Sequence, residues 1–269
     1  MPVLNVVVTG LGRTIRWLPR LLAIYGLPWL LGTIALLILE VVAQEQLQLA
    51  AAPDWARNLV WAPFSAMANL MLLRWVLDDV APTRPLNVLA QRETWLAALV
   101  LALWFLSYPA ISHAPLVLLQ WLVFPEDLRD RFKDVLPYYF AFTIAAWLVN
   151  AALAPCFFGL IVVVARSGWL NVGEYWRLLR LHPARLLSVA LIATAAVDGV
   201  AMFDTLAWLQ LAPGGLIPGG ANIGWAFLAE LAQFPVQFLE FAIKGCILAE
   251  AYRRLLAETK RCSPTDVGN

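Results

Sequence analysis

The sequence contains few charged residues, two histidines and three cysteines. Lysine, arginine, aspartate and glutamate make up 14% of its 269 residues, whereas soluble domains average about 25%. The net charge of +1 provides no basic surface for nucleic acid, so we expect no nucleic-acid partner. The scattered cysteines Cys156, Cys246 and Cys262 form no CxxC pair, which argues against a disulfide framework or a zinc site.

Sequence motifs of catalytic centres are missing as well. The chain has no GxSxG, HExxH or Walker-type motif. Its two histidines, His113 and His182, fall on opposite sides of the membrane in the topology predicted below, so they cannot share a metal or catalytic site. We therefore expect no enzyme activity, no metal and no cofactor.

Apolar residues dominate the chain. They make up 62% of it, the mean hydropathy is +0.74, and several apolar runs exceed the roughly 18 residues that suffice to cross a bilayer. The sequence predicts an all-α, polytopic membrane bundle with six transmembrane helices, at about 20–42, 57–77, 94–111, 137–165, 183–205 and 223–254. Residues 113–124 are apolar but too short to cross again, so we expect an interfacial or partly re-entrant segment there.

The order of segments predicts an internal repeat. Three times the chain passes from a basic interfacial segment to a helix, a loop and a second helix, in units of about 6–80, 84–168 and 172–254. In the first two units a proline precedes an arginine by eleven residues, at Pro63 and Arg74 and at Pro155 and Arg166. The alternative is the ordinary alternation of helices and basic loops in polytopic proteins. We expect one integral membrane domain over 1–260 and a disordered tail over 261–269.

The distribution of positive charge predicts the orientation. Six spans place both termini on one side of the membrane. Of the 19 lysines and arginines, those on the opposite side are Arg57, Arg129, Arg131 and Lys133. The positive-inside rule then makes both termini cytoplasmic.

Three sequence features resemble a known family. They are the opening RTIRWLPRLL, the two proline–arginine closings described above, and the segment GEYWRLLRLHPARLL. Together they resemble the YciC-like bacterial inner-membrane proteins, and they are similar to the membrane domain attached to some glycerophosphodiester phosphodiesterases. The resemblance covers about residues 6–255 and implies a helical-bundle fold in the bacterial cytoplasmic (inner) membrane. It transfers no catalytic residue, because the phosphodiesterase domain has no counterpart in this chain.

Three segments, one at the start of each repeat unit, combine basic with apolar residues in a pattern typical of helices at the membrane surface. We expect them to attract anionic lipid headgroups at about 1 kcal/mol per nearby cation. The alternative is ordinary positive-inside anchoring. The predicted headgroup residues are Arg13, Arg16, Arg20, Arg177, Arg180 and Arg185.

The last predicted helix carries a polar stripe. Its members follow one another at steps of three or four residues, so they share one helical face: Glu230, Gln233, Gln237, Glu240 and Lys244. An ionisable group in hydrocarbon costs about 2.5–3.5 kcal/mol, so this face must meet protein or water. The stripe either lines a polar path or holds the bundle together, with Glu240 and Lys244 as an i, i+4 pair.

Three further polar residues fall inside predicted spans. Asp198 either meets Glu230 or Gln233, or it reaches water near the surface. Asn69 and Asn150 either form interhelical hydrogen bonds or line a shared pore.

These observations favour a function without catalysis. We expect a membrane-integrity, lipid-organising or assembly factor, whose partners are membrane lipids or a membrane protein. The alternative is a small transporter or channel that uses the polar stripe. An enzyme acting on lipids is the third hypothesis, and it would need histidine or carboxylate pairs at headgroup level, which the sequence does not contain.

Overall fold

The computed structural model describes residues 2–47, 52–78, 85–122, 132–211 and 223–262, and all the secondary structure in these ranges is helical. The all-α fold class is therefore confirmed. The helices of these ranges are α1 (Val3–Arg16), α2 (Leu18–Glu45), α3 (Asp54–Asp78), α4 (Pro85–Leu89), α5 (Arg92–Leu122), α6 (Phe132–Ser167), α7 (Val172–Leu181), α8 (Pro183–Leu211) and α9 (Ile223–Cys262).

The boundaries of the short helices follow from local chemistry. Pro19 occupies the first turn of α2 directly after α1, where its missing N–H costs nothing. Gly168 ends α6 with a φ of 67°, a conformation that glycine adopts without strain. The side chain of Asn171 then accepts a hydrogen bond from the Glu174 backbone N–H, which caps the start of α7.

Several helices are suited to a membrane. In the part of the chain that the structure describes, three are long and apolar enough to cross it: Leu18–Glu45, Trp55–Asp78 and Ile144–Ser167. A fourth candidate is α7 together with the start of α8, Val172–Arg180 and Pro183–Asp198, which meet at 90°. Large apolar side chains are exposed along α2, at Leu22, Leu27, Leu30, Ile34 and Ile38. The chain is therefore a helical membrane protein with three to four candidate spans among its described residues.

All the predicted spans are longer in the structure, and α5 and α9 extend the furthest beyond their predicted ends. Residues 113–122 continue α5, which is one helix of 31 residues, rather than forming the separate re-entrant segment that we expected. In hydrocarbon a continuous helix satisfies the backbone hydrogen bonds, and neighbouring helices make internal prolines tolerable. Likewise α9 runs to Cys262, so the predicted tail over 261–269 begins inside a helix, and its remainder lies outside the described residues.

Helix α9 lies at the centre of the bundle. It packs against α1, α2, α3, α6, α7 and α8. Its residues from Gly245 to Tyr252 are all buried, so this stretch has no face left for lipid. Close approach is possible because glycines face large side chains. A Cβ on Gly159 of α6 would collide with the Tyr252 hydroxyl, and that hydroxyl donates to the Pro155 carbonyl at 2.6 Å.

Candidate functional site

A buried carboxylate joins the two ends of the chain. The Glu250 side chain on α9 is fully buried, and its Oε2 lies 2.9 Å from Nη1 of Arg13 on α1. Arg253 and Arg254 reach the same carboxylate at 2.8 and 2.6 Å. A buried charge is tolerated when it is paired and hydrogen-bonded in this way. Three guanidinium groups surround one carboxylate, so the cluster carries excess positive charge.

The same cluster holds the start of α1. Arg254 donates to Oδ1 of Asn5 at 3.1 Å and to Oγ1 of Thr9 at 2.9 Å. The amphipathic helix predicted from the first basic segment therefore exists, and it is fixed to the end of α9. Arg13 differs from its predicted role as a headgroup residue, because its guanidinium binds Glu250 and also lies 4.9 Å from the Trp17 ring centroid.

The corner between α1 and α2 contacts the end of α3 through aromatic and cation–π interactions. The Trp17 and Trp75 rings lie 4.1 Å apart between centroids, which joins this corner to the end of α3. The Arg20 guanidinium lies 5.6 Å from the Trp75 ring. Next to Trp75, Arg74 donates to the Gln91 side chain between α4 and α5.

Similar contacts occur at the corner between α4 and α5 and at the corner between α7 and α8. The last of them is made with α9. The Arg92 guanidinium stacks 3.7 Å from the ring centroid of Trp169, which follows α6. Arg166 at the end of α6 pairs with Glu174 of α7 at 2.9 Å. The corner between α7 and α8 then meets α9, because His182 Nε2 lies 2.7 Å from Glu258 Oε2. We call this end of the bundle the basic end, after Arg13, Arg20, Arg74, Arg92, Arg166, Arg253 and Arg254.

The outer surface of the basic end mixes apolar and cationic side chains. On α1, Leu4, Val8 and Ile15 are exposed, and Arg16 is exposed beside them. On α7, Val172 and Trp176 are exposed. The Arg180 guanidinium lies 5.3 Å from the Trp176 ring. Of the predicted headgroup residues, those with exposed side chains are Arg16, Arg20, Arg177, Arg180 and Arg185. This combination is typical of helices that lie in the membrane interface.

The polar stripe of the last helix is described in part. All five residues lie in α9, but the side chains of Glu230, Gln233 and Gln237 are outside the described set. Lys244 interacts electrostatically with Asp198 of α8 and, more weakly, with Glu240 of its own helix. The carboxylate of Asp198 also accepts a hydrogen bond from the Trp147 indole of α6. Polar contacts therefore connect the stripe on α9 to Asp198 of α8, and through Asp198 to Trp147 of α6.

The two asparagines have different surroundings. Asn69 donates to the Ser65 carbonyl of its own helix at 2.8 Å. This hydrogen bond is made within α3, whereas the sequence predicts a bond between helices or a place in a pore. Asn150 is buried, and its Oδ1 has no hydrogen-bond partner among the residues that the structure describes. Asn69 and Lys244 both line a cleft between α3, α5, α6 and α9.

The sequence did not predict the Glu250 cluster or the contact between Trp147 and Asp198. Glu250 was not singled out, although its spacing from Arg253 and Arg254 is that of helical ion pairs. The contact between Trp147 and Asp198 joins residues far apart in the chain, so no local sequence pattern predicts it. Among the described residues, no group of three or more His, Cys, Asp or Glu side chains could hold a metal ion.

Comparisons with protein-family models, with curated proteins and with solved structures find no match for this chain. The resemblance to YciC-like proteins therefore remains a prediction.

Proposed function

We propose that this protein organises anionic lipids at the cytoplasmic face of a bacterial inner membrane, as a membrane-integrity or assembly factor without catalysis. One observation carries the proposal. Helices α1 and α7 present exposed apolar side chains next to exposed arginines, at the same end of the bundle. Anionic lipid attracts such cations at about 1 kcal/mol each, while the apolar side chains enter the acyl boundary.

The proposal includes three repeated helix pairs and six spans. The helix order supports it, because a short helix precedes two long ones three times, in α1–α3, α4–α6 and α7–α9. The contacts support it too. Each corner after a short helix contacts the closing helix of its own unit or the residues directly after that helix, through Trp17–Trp75, Arg92–Trp169 and His182–Glu258.

Each corner region also meets the closing helix of another unit. Arg13 reaches Glu250 of α9, Gln91 reaches Arg74 of α3, and Glu174 reaches Arg166 of α6. Each of the three units thus contacts the closing helix of the preceding unit, and the first unit contacts that of the third. A simple alternation of helices and loops would not require this regular pattern, so the contacts support a repeat.

The experiment measures lipid retention. The protein is reconstituted in nanodiscs that contain equal amounts of phosphatidylcholine and phosphatidylglycerol, and native mass spectrometry counts the lipids that remain bound. The double variant Arg177→Gln/Arg180→Gln should lose phosphatidylglycerol selectively, by about fivefold for each charge removed. Arg57→Gln is the control, because Arg57 pairs with Glu40 at 3.3 Å at the opposite end. Equal loss in both variants, or no preference for the anionic lipid in the native protein, would reject the proposal. A stoichiometric protein retained on purification would favour the assembly role.

A small transporter or channel is the second candidate. The observation that favours it is the presence of three polar side chains, Ser65, Asn69 and Lys244, in the otherwise apolar wall of the cleft between α3, α5, α6 and α9. If this cleft is a hydrated path, an Asn69→Cys variant in a background without other cysteines should react with a membrane-impermeant thiol reagent. Absence of reaction, with full reaction of a cysteine at Arg177, would favour the first function.

A further inference from the structure

The outer face of α7 carries an open groove of about 380 Å³, lined by Gly173, Trp176, Arg177 and Arg180. The last three follow Gly173 by three, four and seven positions, so all four share one face of the helix. All four are exposed, whereas Tyr175 on the opposite face is buried against the bundle. The volume falls in the range of small-molecule sites, roughly 300–1,000 Å³, so one lipid headgroup has room there.

A glycine keeps this groove open. A Cβ on Gly173 would meet only the side-chain oxygen of Asn171, at 3.5 Å, which is an ordinary van der Waals distance. The protein therefore tolerates a side chain at this position, and a larger one would extend into the groove. The width of the groove thus depends on the absence of a side chain at Gly173, independently of the charges around it.

The groove retains the charge of both its arginines. The Arg180 guanidinium lies 5.3 Å from the centroid of the Trp176 ring, a cation–π contact that orients it. In the part of the chain that the structure describes, neither Arg177 nor Arg180 pairs with a carboxylate. Glu174, the acidic residue of α7, pairs with Arg166 of α6 instead. The groove therefore combines two positive charges with one aromatic wall.

We propose that this groove binds the phosphate of one anionic phospholipid, held by Arg177 and Arg180 against the Trp176 ring. The inference rests on the proposed lipid-organising function and deepens it, because it replaces a general attraction by a site for a single headgroup. A guanidinium group donates two parallel hydrogen bonds to a phosphate. The two arginines lie about 4.5 Å apart along the helix axis, so both reach the same phosphate.

The surroundings of the groove select a lipid with an acidic head. Val172 and Trp176 are exposed beside the arginines, and apolar side chains of such a helix enter the acyl boundary of the membrane. The groove then lies at the depth of the lipid phosphates, and the acyl chains remain in the bilayer. A zwitterionic head adds a cation that the two arginines repel, so phosphatidylglycerol should bind more tightly than phosphatidylcholine.

Native mass spectrometry tests the site, because it resolves the binding of single lipids. The full chain, delipidated in mild detergent, is titrated with phosphatidylglycerol and separately with phosphatidylcholine of the same acyl chains. We expect the first phosphatidylglycerol to bind about tenfold more tightly than the later ones and than phosphatidylcholine, because it gains charge-assisted hydrogen bonds. Inorganic phosphate is the competitor for the second source of this chemistry, and it should not displace the lipid.

Two kinds of variant assign the first binding step to the groove. Gly173→Leu fills the groove without changing any charge, and it should weaken the first step by about tenfold or more. Gly12→Leu is the matched control, because Gly12 is exposed on α1 and its added Cβ would meet nothing within 4 Å. Arg177→Lys keeps the charge but removes the forked donor geometry, and it should weaken the first step by about fivefold. Thermal unfolding confirms that each variant is folded.

The inference is overturned if Gly173→Leu and Arg177→Lys bind phosphatidylglycerol as the native chain does. If the double variant Arg177→Gln/Arg180→Gln still loses the lipid in nanodiscs, the general attraction and the proposed function stand without this site. Displacement by inorganic phosphate would assign the groove to a free phosphate compound and overturn the lipid. A first binding step that depends on Gly173, without enrichment of phosphatidylglycerol beyond one molecule in nanodiscs, would support the site and reject the lipid-organising function.

Discussion

Gly10 of α1 lies directly against the backbone of Ile247 in the centre of α9. A Cβ on Gly10 would lie 2.7 Å from the Ile247 Cα, which is too close for any side chain. Small residues allow helix backbones to approach in this way. The close contact brings Arg13 to the buried Glu250 carboxylate one turn further along. The amphipathic first helix is therefore part of the packed bundle.

This contact predicts that Gly10→Ala destabilises the protein. The added methyl group should separate α1 from α9, at the usual overpacking cost of about 1–3 kcal/mol. The unfolding temperature in mild detergent should fall, and trypsin should cleave faster after Arg16. Gly12→Ala is the matched control, because its added Cβ would meet nothing within 4 Å. It should be neutral or stabilising by up to about 1 kcal/mol, as alanine is a better helix former. Equal behaviour of the two variants would contradict the packing of α1.

The buried cluster predicts a large effect of Glu250→Gln. The substitution leaves Arg13, Arg253 and Arg254 around a neutral amide, and breaking a buried ion pair costs about 3–5 kcal/mol. Glu174→Gln removes a partly exposed partner of Arg166, and such pairs contribute about 0–1 kcal/mol. Chemical unfolding of the two variants should therefore differ by several kcal/mol. Similar losses would mean that the Glu250 cluster is solvated in solution.

The helices themselves were largely predictable from sequence. Long apolar runs, with arginines and polar residues at their ends, located α2 and α3 within three residues and α6 and α8 within six. The end of α5 was not predicted, because residues 113–124 are too short to cross again and because Pro109 and Pro115 interrupt the apolar run. A proline ends a helix when water can satisfy the freed carbonyl, whereas in an apolar bundle continuing the helix is favoured. The six spans and the repeat remain predictions.

The candidate site was less predictable, because its partners come from different helices. Helical periodicity correctly placed Glu240 and Lys244 on one helical face, where they interact. It could not show that Asp198 of α8 lies nearby, since the register between two helices is set by packing along their whole length. The same limit hid the contact between Arg13 and Glu250, which joins the first and last helices.

Tyr252→Phe should destabilise the bundle by about 1–1.5 kcal/mol. The Tyr252 hydroxyl is buried and donates to the Pro155 carbonyl at 2.6 Å, and a net hydrogen bond contributes about that much. Tyr25→Phe is a graded control, because the Tyr25 hydroxyl reaches the Phe241 carbonyl at 3.5 Å and should contribute less. Thermal or denaturant unfolding measures both. A larger loss for Tyr25→Phe would contradict this order of hydrogen-bond strengths.

Reporter fusions test the predicted topology. A fluorescent protein that folds only in the cytoplasm should be active at the C-terminus, because both termini are predicted to lie inside. An alkaline phosphatase inserted near Arg129 should be active, since that loop is predicted to lie on the opposite side. A periplasmic C-terminus would mean that the number of spans is odd, and it would also remove the cytoplasmic location from the proposed function.

Lys244 and Asp198 should show an energetic coupling that a distant pair does not. Lys244→Gln alone leaves the exposed Asp198 carboxylate without its attracting cation, and Asp198→Asn alone does the reverse, so each single variant loses some stability. Asp198→Asn keeps an oxygen that can accept from Trp147, which confines the change to charge. The double variant removes both charges and should lose less than the sum, by about 0.5–1 kcal/mol, since the Asp198 carboxylate is exposed. Combining Asp198→Asn with Arg57→Gln provides the additive reference. If the Lys244 pair is additive as well, the charges of α8 and α9 act separately, and the stripe does not join these helices.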